Sequence, residues 1–312
     1  MTIEIITPKD RQAWLQARSQ DITASVVGSL FNVHEYVTIY ELWALKTRRL
    51  PRQDSESDAM RRGRLLEPVA VQILREERPD WEVAYSTDAQ VYYRDPARRL
   101  GATPDVIVHC PVRGKGIVQI KSVEQGVYRR KWLDEDGMPE PPLWIALQAT
   151  LEAYLTGAKW AAVMPLVIGF GIDAPLIDVP LDHMRELIDA MAENAVAFWQ
   201  MVDEDREPVI DYARDAGLID RLYALGDVRE EVDLTGDAEI TQRIASITAQ
   251  QQIARAATAR IAADEAWIKA AMGRAEVAHI PGGRTITWKT HRKRVPATGA
   301  VTVYRRLRLP RT

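Results

Sequence analysis

Within the stretch GATPDVIVHCPVRGKGIVQIK, residues 101–121, three polar side chains are spaced so that a hairpin would gather them. Asp105 borders the apolar run VIVHC, and Gln119 and Lys121 fall in the run IVQIK, with the six-residue turn PVRGKG between the runs. β-Branched runs flanking Gly and Pro read as two strands and a loop. Side chains alternate along a strand, so Gln119 and Lys121 share one face while Val118 and Ile120 take the other. A carboxylate, an amide and an ammonium therefore converge at one strand end.

The surrounding elements have to position that set. Residues 8–18 read as a short helix with Trp14 and Leu15 buried, followed by a second helix capped by Asp21 or Thr23. A helix is expected over 36–48, a polar loop over 50–58 and a longer helix over 59–77, in which Glu67 lies four residues after Gly63. One or two strands span Trp81–Val91. An apolar helix over 143–157 should stop at Gly157, where a left-handed cap suits glycine. WAAVMPLVIGFGI reads as a buried strand interrupted at Pro165 and Gly169, and residues 181–205 as an amphipathic helix. This order suits an α/β fold with a central mixed sheet and helices on its faces.

Composition narrows the chemistry. The chain has 312 residues, 46% of them hydrophobic and 27% charged, with one cysteine and five histidines. A lone Cys110 cannot form an internal disulfide or a four-cysteine site, and the histidines, His34, His109, His183, His279 and His291, show no ligand pairing. A metal would thus be held by oxygen ligands or histidines, and a zinc site is not expected. No apolar run approaches a membrane span and the N-terminus lacks a signal pattern, so a cytosolic protein is expected.

The net charge of −3 conceals a gradient. Residues 203–239 carry 13 Asp or Glu against four Arg, whereas residues 277–312 carry nine Lys or Arg and no acid. The basic tail could grip a polyanion, pair with the acidic segment or be a solvated face. The expected division is residues 1–208 and an extension, 209–312, made of an acidic linker, a long helix 238–273 and a basic hairpin 277–312. In that helix Ile240, Ile247, Ala254, Ile261 and Ile268 recur every seven residues. They predict a helix packed along one stripe, with a self-associating coiled coil as the alternative.

Taken in order, W-x3-R (Trp14–Arg18), ITAS (Ile22–Ser25), G-x3-E (Gly63–Glu67), TPD (Thr103–Asp105), QIK (Gln119–Lys121) and Q-x7-TG (Gln148–Gly157) resemble the YqaJ-type viral recombinases and the lambda exonuclease group of the PD-(D/E)xK nuclease superfamily. The likeness covers roughly residues 10–205. It implies a PD-(D/E)xK nuclease core and a Mg²⁺-dependent 5′-to-3′ exonuclease on linear double-stranded DNA in a bacterial host cell, with Mn²⁺ able to substitute. Asp105, Gln119, the Ile120 backbone carbonyl and Glu67 would hold the metal, and Lys121 would orient water or stabilise charge. Arg18 and Ser25 would bind the terminal 5′ phosphate, against a plain surface arginine and capping serine. Gln148 would touch DNA, brace the site or be a buried amide satisfied by backbone. A 3′-overhang product passed to a strand-annealing protein, and a trimeric homo-oligomer, are implied as well.

Position 119 departs from the family, whose usual residue there is an acid. A weak or inactive DNA-end-binding module is therefore one alternative, and an endonuclease or single-strand nuclease another. Trp132, Trp144 and Trp160 are expected in the core, with Trp132 the candidate for stacking on an unpaired base, and Cys110 is expected to be inert.

Overall fold

The computed structural model describes residues 2–50, 57–85, 91–224, 230–294 and 301–310. Most of the expected 50–58 loop, the middle of the Trp81–Val91 strands and the tip of the basic hairpin lie outside them. Contacts divide the chain into Met1–Gly226 and Asp227–Thr312. In chain order the first unit has β1 (Glu4–Ile6), α1 (Arg11–Ser19), β2 (Ile22–Thr23), a 3-10 segment (Ala24–Phe31), α2 (Ile39–Lys46) and α3 (Asp58–Glu77). Strands β3 (Glu82–Ala84), β4 (Tyr92–Asp95), β5 (Leu100–Ala102), β6 (Val106–Cys110) and β7 (Gly114–Glu124) follow. Then come α4 (Gln125–Lys131), α5 (Leu143–Thr156), β8 (Trp160–Ile168), β9 (Ile172–Asp173), β10 (Ile177–Val179), α6 (Met184–Asp203) and α7 (Ala216–Leu222).

The central sheet has the order β10-β8-β7-β6-β3, with β9 also on β8. Only β7 and β8 run parallel, which makes it the expected mixed sheet. The β6–β7 hairpin pairs Val106 with Val118 and Cys110 with Gly114, so its loop is shorter than the six residues expected. One face packs on α3, where Ala70, Val71 and Leu74 meet Val106, Val118, Ile120 and Met164. The other packs on α5, where Ile145, Ala149 and Ala153 meet Ile117, Ala161 and Val163. Each fully buried Val or Ile contributes roughly 1.5–3 kcal/mol. Gly157 caps α5 in the left-handed region, as expected.

A smaller sheet, β1-β4-β5-β2, shares a second core with the 3-10 segment, α2, α5 and α6. The helix expected after Asp21 or Thr23 is this 3-10 segment, and Thr23 makes no capping bond. Asp21 is instead fully buried, accepting from the Tyr92 hydroxyl (2.8 Å) and from Arg94 Nε (3.0 Å) and Nη2 (2.9 Å). Pro165 does not interrupt β8. It lies between the residues paired with β10 and those paired with β9, where no second neighbour needs its missing N–H.

Residues just past the expected boundary at 208 pack on the first unit: Thr38 Oγ1 donates to Asp215 Oδ1 (2.5 Å), and Leu218 is buried in the second core. The second unit has α8 (Ala238–Met272) and the antiparallel sheet β11 (Val277–Ile280), β12 (Arg284–Arg294) and β13 (Val301–Arg308). The expectation that α8 packs along one stripe is corrected. Of its residues only Met272 is buried, and Ile244, Ile247, Ile261 and Trp267 are exposed.

The narrowest contact beneath the central sheet is at Gly116, where an added Cβ would fall 2.1 Å from the Trp160 ring. Gly116→Ala should therefore lower the unfolding free energy by about 1–3 kcal/mol. A fall in the urea midpoint checks it; an unchanged midpoint would show that Trp160 can move aside.

Candidate active site

The hairpin turns three backbone positions toward a single groove. Val106 pairs with Val118, so Asp105 sits opposite Gln119 at the end of the β6–β7 ladder. Asp105 Oδ2 accepts the Ile120 backbone N–H (2.9 Å) and also accepts from Gln119 Nε2. Glu67 comes from α3, which Ser57 caps by accepting Met60 N–H (3.2 Å). The groove, of about 1800 Å³, is lined by Glu67, Asp105, Gln119, Ile120, Lys121 and Gln148 among others. Arg18 and Ser25 line it too.

Lys121 is held from two sides. Its Nζ donates to Gln148 Oε1 (3.0 Å) and lies 5.6 Å from the Trp144 ring centroid. Gln148 Nε2 in turn donates to Glu152 Oε1 (2.9 Å), one turn along α5. Gln148 therefore braces the ammonium, and side chains rather than backbone satisfy it. Trp144 lines the groove, with His34 against its ring at 4.6 Å, so the core expectation for Trp144 is corrected. Trp132 and Trp160 are buried as expected, and Trp132 stacks on Tyr128.

At the other end, Arg18 Nη2 donates to Ser25 Oγ (3.2 Å), and its guanidinium lies 4.3 Å from the Trp14 ring centroid. Trp14, expected to be buried, instead lines the groove and donates through Nε1 to Thr103 Oγ1 (3.0 Å). A cation stacked on an indole face is restrained in direction. Arg18 and Ser25 are thus together at the groove.

Electrostatics tie the centre together. Burial, then the charge of Asp105, pushes Glu67 up to about 7, while a hydrogen bond from Tyr85 and the charge of Lys121 pull it back. Burial also raises Asp105, against Lys121 and the Ile120 N–H. Glu152 is pushed up to about 8, again first by burial and then by Asp105. Glu152 and Tyr85 were not anticipated from the sequence. The spacing Gln148-x3-Glu152 on an otherwise apolar helix was the available signal for the first; the second lies just past β3, distant in sequence from the other site residues, and gave none.

Two neighbouring carboxylates with raised affinity for protons suit a cation that would relieve their repulsion. Among the described residues no group of three or more His, Cys, Asp or Glu could hold a metal. An oxygen set completed by an amide and a backbone carbonyl is what remains. Gln119 Nε2 faces both Asp105 Oδ2 and the Ile120 carbonyl (3.3 Å), while Oε1 is buried without a partner. A half-turn of the amide would exchange the two atoms and bring the oxygen to the acidic side. The residues fit a hard divalent cation with the amide turned, not as it stands.

Residues 13–159 match the model of the YqaJ-like viral recombinase domain. The chain is also similar to the alkaline exonuclease of Laribacter hongkongensis, at 20% identity and TM-score 0.47 over 67% of this chain and 98% of that one. A phage-related exonuclease from Haemophilus somnus is similar at 11% identity and TM-score 0.42, over 59% of this chain and 96% of that one. No curated protein matches the chain in sequence. No helix among the described residues is long and apolar enough to cross a membrane.

Glu152 keeps its proton to about 8 in the folded chain but to only about 4.5 otherwise. Its contribution to stability is complete below about 4.5 and is lost as pH rises toward about 8. Glu152→Gln cannot ionise and should gain on the wild type by a few kcal/mol between about pH 5 and 8. Urea unfolding at both pH values reads this; an equal difference at each would show that Glu152 is ionised in the folded chain.

Proposed function

We propose that this chain, matched over residues 13–159 by the YqaJ-like viral recombinase model, is a metal-dependent deoxyribonuclease. More finely, it is a Mg²⁺-dependent exonuclease that degrades linear double-stranded DNA from the 5′ side and leaves 3′ single strands for phage-type recombination. The observation that supports this reading is the convergence of Asp105, Gln119, Ile120 and Lys121 at one end of the β6–β7 hairpin, in one groove with Glu67. The 3′ strand would pass to a strand-annealing protein, and a trimeric assembly belongs to the same reading.

Held by Asp105, Glu67, the Ile120 carbonyl and the turned Gln119 amide, Mg²⁺ or Mn²⁺ would supply an activated water and a sink for charge on the phosphate oxygens. Lys121 would direct its ammonium at the negative charge that grows as the phosphodiester is attacked. Gln148 and Trp144 restrict that ammonium to one direction, so little reorganisation accompanies reaction. Arg18 and Ser25 would take the 5′ phosphate at the duplex end through charge-assisted hydrogen bonds. Hydrolysis adds water across the P–O bond and leaves a phosphate on one fragment and a hydroxyl on the other.

One observation favours a second reading. The Gln119 amide nitrogen bridges Asp105 and the Ile120 carbonyl, so a donor stands where a cation would lie between those oxygens, although Oε1 is left without a partner. A DNA-end-binding module with little turnover would look the same.

Linear duplex with a 5′ phosphate, linear duplex with a 5′ hydroxyl, and closed circular DNA, each with Mg²⁺ or Mn²⁺, separate the readings. Loss of linear DNA alone, fastest with the phosphate and slowed about 10²-fold or more in Lys121→Ala, is the expected result. Cutting of the circle would overturn the exonuclease reading, and tight binding without turnover would favour the module.

Replacing Gln119 by an acid tests the departure directly. Gln119→Glu should lower the Mg²⁺ concentration that gives half-maximal rate, because a carboxylate is the stronger ligand, and should destabilise the metal-free chain by adding a third charge beside Asp105 and Glu67. An unchanged Mg²⁺ requirement would remove position 119 from the metal site.

A further inference from the structure

The second unit has a face that the groove does not explain. Partners in an antiparallel ladder share a face. Lys289 pairs with Arg306, Lys293 with Thr302, His291 with Tyr304, and Arg308 with Thr287. All eight side chains therefore stand on one side of the sheet. Lys289, Lys293, Arg306 and Arg308 are exposed, and none forms an ion pair among the described residues. No carboxylate side chain occurs anywhere in residues 277–312. Glu276, just before β11, lies in the field of Lys289 and Arg305 but is engaged by the Thr290 N–H (2.9 Å).

The opposite face is built differently. Ile286 is buried there, Trp288 pairs with Leu307, and Arg305 lies 3.5 Å from the Trp288 ring centroid while donating to the carbonyls of Gly273 and Ala275. That side is thus packed around Ile286, Trp288 and Arg305, with Arg292, Val301 and Val303 exposed toward the hairpin tip. The other carries four like charges with no opposite charge among them, an arrangement that self-repulsion disfavours unless a polyanion meets it. In the middle of the charged side Tyr304, 44% exposed, stacks on His291 with ring centroids 5.6 Å apart.

We propose that this face of β12 and β13 binds single-stranded DNA, the four cations taking successive phosphates and Tyr304 offering its ring to a base. Alternate residues on a strand are about 7 Å apart, so cations two and four positions apart form a row rather than a point. Rows of cations with an exposed aromatic are what unpaired strands bind, since every base has a face to stack. The choice of DNA rests on the nuclease reading above; the charge row and the ring do not. The face would retain the strand that hydrolysis leaves behind.

Binding of a labelled oligodeoxynucleotide by the full chain, in EDTA so that no hydrolysis occurs, tests this apart from activity. Four phosphate contacts give a slope of log affinity on log salt of about −2.8, or roughly 50-fold over a fourfold rise in salt. The quadruple variant Lys289→Ala, Lys293→Ala, Arg306→Ala, Arg308→Ala should lose most of that slope, whereas exchanging Lys for Arg and Arg for Lys at the four positions should keep it. Tyr304→Ala should weaken single-strand binding more than duplex binding. An unchanged slope in the quadruple variant overturns the proposal even if the chain is an active nuclease. So does an equal loss from Arg255→Ala with Arg260→Ala on α8, or a quadruple variant that loses only binding to phosphatidylserine vesicles. A chain without turnover whose slope falls as stated retains this proposal and loses the other.

Discussion

Three carboxylates, the buried Glu152 and the partly buried Glu67 and Asp105, share the field of one ammonium, Lys121, with Arg18 acting on Glu152 as well. Most of the site follows from that imbalance. Lys121 and Arg18 do not offset the burial and mutual repulsion of the carboxylates, so protons are held more tightly than in water. Glu67 is pushed up to about 7 and Glu152 to about 8. The two differ in what surrounds them: Glu67 is only half-buried, in a groove open to solvent and ligands, while Glu152 is buried behind Gln148 on a packed helix. The first can exchange its proton for a cation. The second serves as a fixed acceptor that orients an amide.

Much of this was legible because it depends on period and register. Alternation along IVQIK puts Gln119 and Lys121 on one face, and the ladder duly sets Asp105 beside Gln119. Apolar runs of the right length located α5, α6 and β8, and Gly157 marked the end of α5. What could not be read depends on partners distant in sequence. Asp21 looked like a helix cap because its neighbours could not reveal Tyr92 and Arg94, which reach it from another strand. Trp144 looked like core on an apolar helix, yet its ring faces Lys121. Pro165 looked like a break, and only the gap between β9 and β10 shows why it is not.

The heptad pattern of α8 misled in a different way. Isoleucines every seven residues predict a buried stripe, but the intervening Gln251, Thr258 and Glu265 leave only half a seam. The helix is held by its own ladder, by the Asp237 cap and by local pairs such as Arg243 with Glu239, while Ile244, Ile247, Ile253 and Ile261 are exposed and Ile240 and Ile268 half-buried. Periodicity alone reports a face and not what covers it.

Strand β7 has one more property. Its pairing with β6 ends at Val118, whereas its pairing with β8 continues to Glu124. Gln119, Ile120 and Lys121 therefore lie where the strand is secured along one margin and open along the other. Architecture and reactivity are uncoupled at that point, because β8 keeps the backbone in place whatever side chain the open margin carries. A change of side chain at Gln119 can therefore alter the chemistry of the groove without disturbing the sheet.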